Sequence, residues 1–337
     1  MKKLNKFKLM IVMLTLILMV SGCQKETTAE TTTSELDKIT FVLDWLPNTN
    51  HTGIYTAIEK GYFADENLEV EVIQPQDGDA EVLVANGKAD FGISFQETIT
   101  MARTAENPIP VVAIAAVLQH NTSGFASLAA KNIVTPKDFE NKVYGSWGTE
   151  IEDAFIKTLM AKDEADFSKL DVVNIESYDF LTSITNDVDF QWIYYGWDGV
   201  AAEAKGVDLN FIKLQDIDPD LDFYTPVIMT SDAMINDNPE LVKRFLRAVS
   251  KGYEDAANNP DDAVLDLLAN APELDEEIAT LSQEYLADEY ISDAEQWGVM
   301  KSSVWETFGQ WMYDNGVISQ PLDVDAAFTN EFLPNNE

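Results

Sequence analysis

Residues 68–73 (LEVEVI) alternate apolar and acidic positions, the period-two pattern of a strand with one buried face. Short apolar runs at 39–43, 89–95 and 111–117 read as further strands. Between them lie helical stretches at about 51–60, stopped by Gly61, and at 79–86, stopped by Gly87. A β-α-β-α-β order of this kind predicts a mostly parallel sheet covered by helices. A second α/β block starts near Ser127, with strands expected at 143–147, 171–175, 190–195 and 209–214 and helices at 150–162 and 179–186. The pattern changes after residues 224–226. Asn238-Pro239 is an N-cap and first-turn pair opening a helix with Leu241, Val242, Phe245, Leu246, Val249 and Tyr253 on one face. Helices at about 261–270, 274–286 and 294–315 follow, the last striped with Trp297, Met300, Val304, Phe308 and Trp311. That stripe reads as core packing.

The N-terminal end follows a different logic. Lys2, Lys3, Lys6 and Lys8 precede an apolar run at 9–20 that is too short to span a bilayer comfortably and suits a signal peptide. It ends in Val-Ser-Gly-Cys at 20–23, which resembles the lipobox of bacterial lipoproteins. Cys23, the single cysteine of the chain, is the expected lipidation site, so residues 1–22 are expected to be removed. Residues 23–37 are polar and Thr/Glu-rich and read as a flexible tether. The expected location is the cell membrane, anchored on its extracytoplasmic face.

The formal net charge is −37, and Arg103, Arg244 and Arg247 are the only arginines, so no basic groove for nucleic acid exists. Two histidines, His51 and His120, lie far apart in sequence and give no metal-ligand spacing. No P-loop, GxGxxG or GxSxG motif occurs. No cofactor is expected, and the sequence offers little for an enzyme.

What stands out is aromatic residues beside amides where predicted strands end. DWLPNTNHTG at 44–53 and WIYYGWDG at 192–199 both sit at carboxyl ends of strands, where open α/β sheets place ligands. Indole and phenol rings offer flat apolar faces, and Asn, His and Asp offer directional donors and acceptors, a combination that suits a planar heterocycle. The same residues read equally well as core aromatics and helix caps. YGSWGTE at 144–150, a strand-to-helix entry, and SFQE at 94–97 are two further candidates.

Those segments, with ADFGISFQE at 89–97, HNTSGFASL at 120–128 and DFYTPVIMTSD at 222–232, resemble the formylaminopyrimidine-binding proteins over most of residues 38–334. These proteins are similar in turn to the thiamine-pyrimidine synthases and to sulfonate- and nitrate-binding proteins; a riboflavin-binding branch shares the DW-PNTNH segment. The resemblance implies an α/β, two-lobed periplasmic-binding-protein fold of the second type. Lobe 1 would be 38–125 plus 226–337 and lobe 2 126–225, closing by hinge motion on a ligand in the cleft. It implies Trp45 as one stacking wall and, from the other lobe, Tyr195 in preference to Tyr194, since strand alternation lets only one of the two face the cleft. Asn48, Asn50 and His51 would bond the ring edge, and Asp198, where many relatives carry glutamate, would accept from an exocyclic amine. Gly145, Ser146 and Gly148 match a loop that holds phosphate in the synthases and would here hold a polar ligand edge. Gln96, Glu97, Trp197 and Tyr224 complete the candidate set.

The function so implied is the substrate-binding lipoprotein of an ABC importer for a thiamine-precursor pyrimidine. Its partners would be a permease, an ATPase and, through the anchor, the membrane, with the protein itself a monomer. Riboflavin or a sulfonate- or nitrate-like anion is the alternative ligand; the scarcity of arginine disfavours the anions. Synthase activity is disfavoured because the yeast enzymes use a cysteine-rich motif, and this chain has no cysteine beyond Cys23.

Overall fold

The computed structural model describes residues 36–75, 80–175 and 179–334. The expected signal peptide, Cys23 and nearly all of the expected tether lie outside the described residues.

Among the described residues, ten strands form two five-stranded sheets. The first is built from β1 (Asp37–Val42), β2 (Leu68–Ile73), β3 (Phe91–Ser94), β4 (Val111–Ala116) and β10 (Val227–Ser231), in the order β2-β1-β3-β10-β4. The second is built from β5 (Ser123–Leu128), β6 (Val143–Ser146), β7 (Asp171–Asn174), β8 (Phe190–Tyr194) and β9 (Leu209–Lys213), in the order β7-β6-β8-β5-β9. β1 runs parallel to β2 and β3, and β6 parallel to β7 and β8. As expected, the sheets are mostly parallel: four strands of each point the same way and one is reversed. β10 lies antiparallel between β3 and β4, and β5 lies antiparallel between β8 and β9.

β5 and β10 are the two strands that periodicity missed. Each enters its sheet directly from a crossing between the two halves of the molecule. β10 is buried at every position and β5 at all but its last, so neither alternates, and buried Ser, Gly and Thr interrupt the apolar run that marks the equally buried β4. The crossings are bonded to each other. The Asp222 carboxylate accepts from the Asn121 backbone N–H at 3.0 Å and pairs with His120 Nδ1 at 2.7 Å, while the Asn121 amide donates to the Leu221 carbonyl at 2.8 Å.

The helix Pro239–Asn258 lays its apolar stripe on the first sheet: Phe245 stacks on Phe91 with centroids 3.9 Å apart, and also on Phe41 and Phe63. It meets the helix Thr52–Glu59 through two glycines. A Cβ at Gly252 would stand 2.0 Å from the Gly53 carbonyl oxygen, and one at Gly53 2.2 Å from the Tyr253 ring. Only paired glycines permit that approach.

The expected helix over 294–315 is shorter, Ser302–Asp314. Gly298 has a φ of +88° and bridges to Ala116, which ends any helix upstream. Trp297 is buried all the same, stacked on Tyr253 at 4.4 Å. The helix Ser302–Asp314 serves both halves: Trp305 stacks on Phe328 beside the first sheet, whereas Phe308 and Trp311 pack on Phe223 and Phe155 beside the second.

Candidate functional site

A cavity of about 250 Å³ opens where the carboxyl ends of β1, β3, β6 and β8 converge. From the first half come Asp44, Trp45, Asn48 and Asn50 in the loop after β1, Phe95 after β3 and Pro226 before β10. The second half supplies Trp147 after β6, Tyr194 at the end of β8, and Trp197 and Asp198. Larger hollows beside Arg244 and beside Thr280 are open to solvent and contain no aromatic ring.

The aromatic walls are continuous. Phe95 stacks on Tyr194 across the two halves with centroids 6.1 Å apart, Tyr194 touches Trp192 at 5.6 Å, and Trp192 touches Trp147 at 5.6 Å. Trp45 and Trp147 remain 40% and 43% exposed. Indoles of that size left open to solvent in a concave site mark a surface made for an apolar partner.

The loop after β1 is held from behind. The Asn48 side chain accepts from the Asn50 N–H at 2.9 Å and donates to the Leu46 carbonyl at 3.0 Å, capping the short turn Thr49–His51. Tyr253 and Tyr290 donate their hydroxyls to the carbonyls of Asn50 and Thr49, at 2.7 and 2.6 Å. Opposite, Tyr195–Gly199 forms one π-helical turn that presents Trp197 and Asp198 to the cavity. Its Gly196 carbonyl accepts the Ser282 hydroxyl, which in turn lies 2.5 Å from Thr49 Oγ1. One buried serine therefore ties the two ligand-facing loops together.

Of the candidate residues, the structure brings Trp45, Asn48, Asn50, Tyr194, Trp197 and Asp198 to the cavity. The preference for Tyr195 over Tyr194 is corrected. Tyr194 continues the face of β8 that carries Phe190 and Trp192, while Tyr195 turns away to pack on Phe211 and Tyr285 and to donate its hydroxyl to Glu203. His51 is fully buried behind the loop and bonds Asp44 rather than lining the cavity. Gln96 clips the crossing: its side-chain oxygen accepts from the Tyr224 N–H at 2.8 Å. Tyr224 is itself buried, its hydroxyl accepting from the Lys301 N–H at 2.8 Å. Glu97 is buried, and burial, with the neighbouring Glu81 charge, pushes its carboxyl up to about 8.

The loop carrying Gly145, Ser146 and Gly148 is corrected as well. Its donors are already used. Glu152, fully buried in the first turn of the helix Glu150–Lys162, accepts from the backbone N–H groups of Trp147 at 3.0 Å and Thr149 at 3.1 Å. The Gly148 N–H goes to Ser146 Oγ at 2.9 Å. The protein's own carboxylate fills the place an anion would take, and the loop's contribution to the cavity is the Trp147 ring.

Phe95, Trp147, Pro226 and Asp44 were missing from the candidate residues. The first two stand inside segments already singled out, and Asp44 adjoins Trp45; only their direction was illegible. No lysine, arginine or histidine lines the cavity among the described residues. Burial, with the charge of Asp179 added, pushes the Asp198 carboxyl up to about 7. Tyr194 is raised well above the usual phenol range by burial, then by the Glu97 charge, so it stays protonated.

Residues 48–263 match the family described as NMT1/THI5 like. The chain belongs to that family. One relative, the formylaminopyrimidine-binding protein of Halalkalibacterium halodurans, is 26% identical over 97% of this chain and 99% of its own length. The riboflavin-binding protein RibY of Chloroflexus aurantiacus is 25% identical over 89% and 87%. A 4-amino-5-hydroxymethyl-2-methylpyrimidine phosphate synthase of Candida albicans is 27% identical over 67% and 69%. Among solved structures, the alkanesulfonate-binding protein SsuA of Xanthomonas axonopodis pv. citri superimposes with a TM-score of 0.66 at 11% identity, covering 88% of this chain and 99% of that one. At that identity the likeness establishes the fold: this NMT1/THI5-like chain has the two-domain α/β architecture of periplasmic substrate-binding proteins.

Proposed function

We propose that this protein is the substrate-binding lipoprotein of an ABC importer, capturing a thiamine-precursor pyrimidine outside the cytoplasmic membrane and handing it over unchanged. The observation that carries the ligand reading is the cavity itself: Trp45 from one half and Tyr194 from the other border a hollow with two carboxylates and two amides at its edge and, among the described residues, no cation. A flat ring with N–H donors gains desolvation between the aromatics and directional bonds at its rim. Similarity to a formylaminopyrimidine-binding protein along nearly the whole chain supports the same reading. A sulfonate or nitrate finds no positive partner there, and the backbone donors at residues 147–149 are spoken for by Glu152 and Ser146. Riboflavin, which the likeness to RibY brings forward, is a larger ligand, and about 250 Å³ lies below the usual range of roughly 300–1,000 Å³ for pockets holding drug-sized molecules.

Calorimetry of the mature protein with formylaminopyrimidine, 4-amino-5-hydroxymethyl-2-methylpyrimidine and riboflavin tests the reading. A pyrimidine is expected to bind at micromolar or tighter Kd. Trp45→Ala is expected to weaken it at least about 30-fold, from the loss of roughly 2 kcal/mol of ring burial and stacking. Tight binding of riboflavin alone would transfer the assignment to the flavin.

A further inference from the structure

Asp44 is the carboxylate that the first half brings to the cavity, and it does not stand alone. His51 Nε2 lies 2.7 Å from Asp44 Oδ1, and His51 Nδ1 accepts the backbone N–H of Asn48 at 3.2 Å. A ring nitrogen that accepts carries no proton, so the proton of a neutral imidazole sits on Nε2 and is donated to Asp44. His51 is 0% exposed and no ligand reaches it. Its effect is to fix one oxygen of Asp44 and leave the carboxylate's remaining acceptor capacity for the cavity that Asp44 lines. Asp198 offers a second carboxylate from the opposite half. An ionised carboxylate accepts and never donates, so with both ionised, the two carboxylates call for hydrogen-bond donors on two edges of whatever lies between.

Resting on the pyrimidine reading above, we infer that Asp44, positioned by His51, is a specificity-determining acceptor for a second donor on the ring periphery, so that the ligand class is a planar heterocycle with donors at two separate edges. Asp198 reads one edge and Asp44 the other. Asp44→Asn has a defined consequence in this geometry. The His51 N–H keeps the amide oxygen on its own side and turns the NH2 group toward the cavity, where it opposes the ligand's donor.

The test uses three probes on the mature protein: 4-amino-5-hydroxymethyl-2-methylpyrimidine, its analogue with hydrogen at position 4, and its analogue with methyl at position 5. Each analogue lacks one donor. The wild-type protein is expected to prefer the parent ring over each analogue by about 10- to 100-fold, the scale of a hydrogen bond to a charged group. Asp44→Asn is expected to abolish one of the two preferences and Asp198→Asn the other. His51→Ala is expected to shrink the same preference as Asp44→Asn while the analogue lacking that donor binds as before; general damage to the loop lowers all three affinities together. If the parent ring binds and Asp44→Asn keeps both preferences, the inference is overturned and the pyrimidine reading survives. The wild-type protein distinguishing only one analogue from the parent also overturns it, with no variant needed. Binding of none of the three rings removes the pyrimidine reading and this inference with it.

Discussion

Asp198 combines two demands that pull against each other. To accept from a ligand amine its carboxyl must be ionised, yet burial and the nearby Asp179 hold it up to about 7. A ligand that donates to the ionised form binds best above that value and progressively less well below it. Affinity for a pyrimidine is therefore expected to fall about ten-fold between pH 8 and pH 6, as the ionised fraction of a group titrating near 7 drops from about nine-tenths to one-tenth. Calorimetry across that range checks it. Asp198→Asn should bind more weakly at pH 8 and show a flat profile; an equally steep profile in the variant would assign the dependence to another group. The tyrosine pair gives the same lesson about side-chain direction. Two adjacent tyrosines of identical chemistry part at the end of β8, Tyr194 to the cavity and Tyr195 to the Phe211 side.

At the scale of elements, the site depends on how short segments are buttressed. The π-turn Tyr195–Gly199 and the turn Thr49–His51 carry Trp197, Asp198 and Asn50 of the cavity, and neither has a hydrophobic stripe of its own. They are held by the helix Glu276–Ala287, through Ser282 to Thr49 and Gly196 and through Leu286 packed against Gly196. Ser282→Ala leaves a buried carbonyl and a buried hydroxyl without their partner. The expected loss is about 1–3 kcal/mol of stability, read by thermal or urea unfolding. A double-mutant cycle with Thr49→Val is expected to be non-additive, because both changes break one relay. Additive losses would show that the two loops are anchored independently.

On the scale of the molecule, the two sheets are joined by paired crossings, by a helix shared between their cores and by contacts around the cavity such as Phe95 on Tyr194 and Ser282 on Gly196. The crossings at 119–122 and 221–226 are cross-bonded through Asp222 and Asn121, and the helix Ser302–Asp314 seats side chains in both cores. This arrangement puts the cavity between the halves, with side chains of both lining it. A formal charge of −37 gives the protein no attraction to an anionic surface. The proposed anchor at Cys23 would hold it at a membrane instead, since acyl chains bind bilayers where a charged surface does not. Cys23→Ser is expected to abolish incorporation of labelled palmitate and to move the protein from the membrane to the soluble fraction. Unchanged membrane association in the variant would remove the anchor from the proposal.

Periodicity in the sequence determined most helices and the strands with one exposed face, because a half-buried element must alternate with its own period. Composition and local sequence determined the acidic charge and the two aromatic-amide segments at strand ends. Periodicity did not reveal β5 and β10, where buried Ser, Gly and Thr break the apolar run by which the equally buried β4 is read, nor the late start of the last long helix at Ser302, upstream of which Gly298 pairs with β4 instead of continuing a turn. Only the tertiary structure decided which tyrosine faces the cavity, that Asp44 lines it while His51 supports it from behind, and that Glu152 rather than a ligand occupies the donors of the Ser146–Thr149 loop. These are questions of direction between residues far apart in the chain. Neighbouring side chains on one loop point to opposite sides, and what each meets there is fixed by segments packed against it from elsewhere in the fold.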